Sequence, residues 1–192
     1  MKKPVILIIC LFLGLILQAQ EDYKLRFAKV QIAGTSTLHD WTADVTKTDG
    51  SATLNFTNGT LTGIKQLTMY MDASTIKSKK GSTMDKNMYK ALKTDKYPSI
   101  NFVLTKLAPV SANKVIAEGK LTVAGTTQPV TIIASIKKNA NGEWVFTGSK
   151  ALKMTDYNVE PPVVLLGTLK TGNEITITFE TTFVVSDSLT HK

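Results

Sequence analysis

Apolar and polar residues alternate along most of this chain, and a two-residue period is the signature of strands with one buried face and one wet face. Ala28, Val30 and Ile32 interleave with Lys29 and Gln31. Trp41, Ala43 and Val45 interleave with Thr42 and Asp44, and Leu67, Met69 and Met71 with Thr68 and Tyr70. The pattern returns at Ile100–Leu104, Val130–Ile136 and Ile175–Phe179. Turn signals at Asp49-Gly50, Asn58-Gly59, Ala124-Gly125, Asn141-Gly142 and Thr171-Gly172-Asn173 cut the chain into about eight or nine strands. With no helical repeats between them, such strands pair antiparallel, as an all-β barrel or sandwich. Gly119 and Gly148 fall inside apparent strands, where glycine marks a sharp bend or a close approach.

One segment departs from this period. Met84, Met88 and Leu92 lie at i, i+4 and i+8, one stripe of a helix. Ser82 or Thr83 is placed to cap it, Asp85 falls in its first turn, and Tyr97-Pro98 stops it. A short helix covering one mouth of the β structure is expected.

The start of the chain reads differently again. Met1-Lys2-Lys3 is basic, Pro4 to Leu17 is almost unbroken apolar, and charge resumes at Glu21-Asp22. A basic start, an apolar stretch of roughly 13 residues and a small boundary residue describe a secretory signal peptide. The stretch is short for a membrane span, which takes ~20 residues. Cleavage after Ala19 is expected, giving a signal peptide over 1–19 and one domain over 20–192, with no transmembrane span remaining. Cys10, the single cysteine, would leave with the leader. The expected product is periplasmic or secreted.

Charge is less informative than it first looks. The chain carries 23 basic and 15 acidic residues, a net +8. Loss of Lys2 and Lys3 leaves 21 against 15, a net +6. The lysines are scattered, Arg26 is the only arginine, and no aromatic–basic interleaving is present. Nucleic-acid readers favour the bidentate arginine fork, so no nucleic-acid partner is expected. Solvated surface lysines, or a shallow basic patch facing an anionic lipid or pyrophosphate, account for the charge.

Catalytic and metal constellations are missing from the sequence. His39-Asp40-Trp41 alone invites such a reading, but neighbours in a strand point to opposite faces and would not form a base–orienter pair. No Gly-x-Ser-x-Gly elbow and no His-Glu-x-x-His occurs. No catalytic residue, metal or obligatory cofactor is therefore expected. A cavity remains. A closed barrel of about eight strands has room for one small ligand. The run Pro161-Pro162-Val163-Val164-Leu165-Leu166-Gly167 and the Met84–Met88–Leu92 stripe add apolar surface beyond one barrel face. Both would either line an elongated pocket or plug it.

Three blocks resemble a known family. Asn87–Phe102, NMYKALKTDKYPSINF, resembles the YceI-like segment in which a D-x-x-L/M helix runs into a K-Y-P-x-I-x-F strand. Ala117–Thr131 resembles that family's G-x-L-T-I-x-G-x-T-x-P-V hairpin, and Leu67–Lys77 its V-x-I-D-x-x-S-I-x-T strand and loop. The blocks follow in the same order, and the resemblance spans roughly residues 24–186. It implies an eight-stranded antiparallel lipocalin-like barrel, exported and non-enzymatic. A hydrophobic pore would hold a polyisoprenoid, either a quinone or a polyprenyl phosphate. Met84-Asp85 stands where the family commonly has Arg-Asp.

Together these readings lead to an apolar lipid ligand lined by Trp41, Phe56, Met69, Met88, Leu92, Phe102, Ile132, Phe146, Leu165 and Phe179, with Lys96 and Tyr97 candidates for its head. A structural or stress-related interaction module with a filled core is the rival reading, and an enzyme using His39 and Asp40 a third. Exposed strand edges are compatible with a homodimer.

Overall fold

The structure, a computed structural model, describes residues 18–111, 113–164 and 166–186. Residues 1–17 of the expected leader, with Cys10 among them, and Leu165 and His191 lie outside them. Among these residues the strands are β1 (Gln18–Ser36), β2 (Trp41–Val45), β3 (Thr48–Thr57), β4 (Thr60–Asp72) and β5 (Ile76–Ser78). They continue as β6 (Ser99–Leu107), β7 (Lys114–Val123), β8 (Thr126–Lys138), β9 (Trp144–Lys153), β10 (Val163–Val164) and β11 (Leu169–Val185). One α-helix, α1 (Ser82–Leu92), stands between β5 and β6.

Eight strands close an antiparallel barrel in the order β11-β9-β8-β7-β6-β4-β3-β1, with β1 pairing back onto β11. This is the eight-stranded barrel with one short helix that the alternation and the sequence blocks imply. The seam between β1 and β11 runs from Tyr23 opposite Val185 to Ser36 opposite Thr171. β1 pairs with β3 through Gln18–Lys24 and with β2 through Val30–Gly34. The hairpin to β2, with β5 added at its edge, thus extends the wall at the end of the barrel where α1 sits. Gln18 and Ala19 already belong to β1, so the strand begins two residues before the expected domain start at Gln20.

The two ends of the barrel are filled differently. At the end away from α1, Tyr23, Ala52, Leu54, Phe56, Leu61, Ile64, Val115, Ala134, Ile136, Phe146 and Phe183 pack into one dense cluster. Phe146 and Phe183 meet edge to face, with ring centroids 5.8 Å apart. A second cluster at the α1 end gathers Val30, Trp41, Val45, Ile76, Ile100, Phe102, Tyr157 and Val159. Leu67, Met69, Leu104 and Phe179 pack against both clusters and form the floor between them.

Two strand glycines let large rings reach into this interior. A Cβ on Gly119 would lie 2.3 Å from the Phe102 ring, and one on Gly148 would lie 2.7 Å from the Phe179 ring. Both positions mark close approach, one of the two roles read from the sequence.

Helix α1 starts and stops by backbone geometry rather than by side-chain caps. Gly81, at φ +96°, is its N-cap, and neither Ser82 nor Thr83 caps it. Lys93, in the left-handed region at φ 54°, ends it and donates its N–H to the carbonyls of Tyr89 and Lys90. Both expected caps fall inside the helix.

Candidate functional site

The α1 end of the barrel encloses a chamber of about 560 Å³. Such a volume lies within the ordinary range for small-molecule sites, roughly 300–1,000 Å³. Strand alternation supplies its walls. Val30 and Ile32 of β1 and Ile175 and Ile177 of β11 point inward, while Thr176 and Thr178 are exposed outside. Trp41, Val45, Ile76 and Ile100 complete the wall, and α1 closes one side with Met84, Met88, Ala91 and Leu92. On the opposite side, the chain after β9 folds across with Met154, Tyr157, Val159, Pro162 and Val164. The diproline run therefore lines the chamber through Pro162 and Val164, while Val163 faces solvent. Gly34 seats the Trp41 indole, because a Cβ there would lie 2.4 Å from the ring, and the indole N–H donates to the Thr35 carbonyl at 3.1 Å.

Polar groups in the lining are Ser36, His39, Lys80, Thr83, Asn87, Lys153 and Thr171. His39, Lys80, Thr83 and Lys153 are exposed, so these four stand at its opening. Among the described residues no carboxylate lines the chamber. An apolar hold under a rim of cations and hydrogen-bond donors suits a molecule with a long hydrocarbon body and an electron-rich head.

Helix α1 is held in place by a buried polar clasp. The Asp85 carboxylate accepts the Ser78 N–H at 2.7 Å and lies 3.5 Å from Lys77 Nζ. The Tyr89 hydroxyl donates to the Ile76 carbonyl at 2.7 Å, and Lys77 Nζ sits 5.4 Å from the centre of the Tyr89 ring. The Ser78 backbone bond, with the Lys77 charge adding to it, holds the Asp85 carboxyl below the usual carboxylate range against the opposing effect of burial. A carboxyl depressed in the folded state stabilises the fold fully above its ordinary value and loses that contribution as pH falls through the depressed one. The backbone amide shifts of Met84–Leu92 should therefore move together on acidification below the ordinary carboxylate range. Asp85→Asn should abolish that step. Shifts that stay flat in the parent protein would mean that this carboxylate does not hold the helix.

The sequence-derived residues are spread over the whole barrel interior. Trp41, Met88 and Leu92 line the chamber. Phe56 and Phe146 sit in the dense cluster at the far end. Met69 and Phe179 belong to the floor, and Phe102 and Ile132 pack within or against the cluster at the α1 end. Tyr97 packs over Gly125 with Lys96 Nζ 5.2 Å from its ring, and neither lines the chamber. Residues missed from the sequence include Ile32, Ile175 and Ile177, which the alternation would have supplied, and Tyr157, at the end of a 3-10 turn over Met154–Tyr157, and Val159 just beyond it, which no apolar period marks. His39 Nδ1 lies 3.0 Å from the Asp40 backbone carbonyl. Among the described residues no group of three or more His, Cys, Asp or Glu side chains could hold a metal. No helix among them is long and apolar enough to cross a membrane.

Comparisons with known proteins agree with this architecture. The model of the YceI-like domain family matches residues 21–183. The crystal structure of Burkholderia cenocepacia BcnA superposes with a TM-score of 0.66 at 20% identity, covering 81% of this chain and 95% of that one. A polyisoprenoid binding domain from Saccharophagus degradans, implicated in plant cell wall breakdown, gives 0.66 at 11% identity, covering 85% and 98%. The Campylobacter jejuni YCEI protein gives 0.58 at 19% identity, covering 73% and 82%. No curated protein sequence matches the chain.

Proposed function

The chain belongs to the YceI-like domain family, and from that membership we propose that it is an exported, non-catalytic carrier of a long isoprenoid lipid. The observation that carries the reading is the chamber, whose lining is mostly apolar and, among the described residues, carries no carboxylate. Apolar burial of about 25 cal/mol per Å² lets such a chamber hold a hydrocarbon chain with few polar contacts. A relative of the same fold is described as a polyisoprenoid binding domain, which supports an isoprenoid cargo here. Lys80, Lys153, His39 and Asn87 are placed to meet the oxygens of a quinone or a polyprenyl phosphate. The apolar leader over residues 1–19 supports export to the periplasm or the exterior.

Extraction of the purified protein with organic solvent, followed by mass spectrometry, tests this reading. The expected extract contains lipids whose masses step by one C5H8 unit. An extract free of lipid, together with a chamber that fails to take up an added polyprenyl quinone or phosphate, would overturn it.

A further inference from the structure

We propose that the open rim of the chamber is a docking surface for an anionic lipid bilayer, from which the cargo passes without crossing water. The inference rests on the lipid-carrier reading and adds where the cargo is exchanged. The three most exposed large apolar side chains among the described residues are Leu166, Leu38 and Val163, at 108%, 71% and 55%. They come from only two segments, the β1–β2 loop and the β10–β11 hairpin. Those segments are tied together: the Thr37 N–H donates to the Lys170 carbonyl at 3.0 Å, and the Thr37 hydroxyl donates to the Thr168 carbonyl at 3.3 Å. Their neighbours Ser36, His39, Pro162, Val164 and Leu169 line the chamber, so the apolar tips surround its opening.

Two further features fit a membrane rather than open water. Leu166 occupies the left-handed region at φ 54°, next to Gly167 at φ +92°, a conformation that leucine rarely adopts. A strained turn that presents a leucine to solvent points to use at that tip. Charge points the same way. Lys79, Lys80, Lys153 and Lys170 are exposed around the opening, against Asp40 in the β1–β2 loop, Glu160 just before β10, and Glu174 opposite Lys153. Exposed apolar tips ringed by lysine bind the interface of an anionic leaflet by combining burial with charge attraction.

Flotation of the purified protein with vesicles of phosphatidylethanolamine and phosphatidylglycerol in equal parts, against vesicles of phosphatidylcholine alone, tests the proposal. None of these vesicles contains an isoprenoid, so the result does not depend on cargo. Binding to the anionic vesicles should fall about tenfold in the double variant Leu38→Ser, Leu166→Ser, as buried apolar area is lost. It should fall by a similar factor in Lys80→Glu, Lys153→Glu, and weaken with added salt. Both pairs are exposed, and circular dichroism should match the parent protein. Leu38 and Leu166 do not line the chamber, so their variant should still bind isoprenoid presented in detergent. Failure to bind anionic vesicles, or leucine and lysine variants that bind as well as the parent, would overturn the proposal while leaving the carrier reading to the extraction result. Equal binding to both vesicle types would overturn its electrostatic half. Rim-dependent self-association without vesicle binding would assign the patch to a second copy of the chain.

Discussion

Phe183→Ala should lower stability by about 3–5 kcal/mol, the range for deleting a buried phenylalanine. The residue is 2% exposed and is among the largest fully buried side chains of the fold. It lies on β11, which closes the barrel, opposite Leu25 of β1 on one side and Trp144 of β9 on the other. Its ring and that of Phe146 meet edge to face inside the far cluster. Domains are stable by only about 5–15 kcal/mol, so this loss is a large fraction of the total. The unfolding midpoint should drop by about 6–20 °C for a chain of this size. Phe183→Leu should cost clearly less. Because the ring belongs to the far cluster and not to the chamber, lipid capacity per folded molecule should be unchanged. A loss below about 1 kcal/mol would show that the far end is not the close-packed core described here.

The second large effect concerns binding. Ala91 sits on α1, half-buried, and faces the chamber between Met88 and Leu92. Ala91→Trp places an indole where the lipid chain would lie, and close-packed walls leave few ways to make room. Uptake of a polyprenyl quinone should fall by more than about tenfold, since overpacked sites accept extra volume only with strain. The helix packs on the barrel from one side, clasped by Asp85 and Tyr89, so the indole displaces cargo rather than breaking the wall. Thermal unfolding should therefore change little. Ile32→Trp provides a second obstruction, from β1. Full uptake in both variants would place the cargo somewhere other than this chamber.

Comparison of the lining residues with the sequence pattern shows where legibility stops. Alternation correctly orients Val30, Ile32, Ile175 and Ile177 inward and Thr176 and Thr178 outward, because successive strand residues must point to opposite faces. Helical spacing likewise brings Met84, Met88 and Leu92 onto the face that α1 turns to the chamber. But Phe56 and Phe146 have the same inward pattern as Trp41, and they fill the barrel where Trp41 borders open space. Period two reports which face a residue takes, not how far across the barrel its ring reaches or what it meets there.

That second question is decided by contacts between distant segments. Gly119 admits the Phe102 ring and Gly148 admits Phe179, so both rings reach into the interior only because glycine stands opposite. Tyr157, Val159 and Pro162 join the lining only because the chain after β9 folds back over the opening, and no periodicity marks them. The sequence by itself determined antiparallel strands with their inward faces, one helix and a leader-like start, since each follows from local spacing, while the choice of barrel over sandwich came from the family blocks. Only the tertiary structure decided that one end of the interior is packed while the other holds a chamber, and that the most exposed leucines stand together at its rim. Those facts depend on strand register and ring reach across the barrel, which neighbours in the chain do not encode.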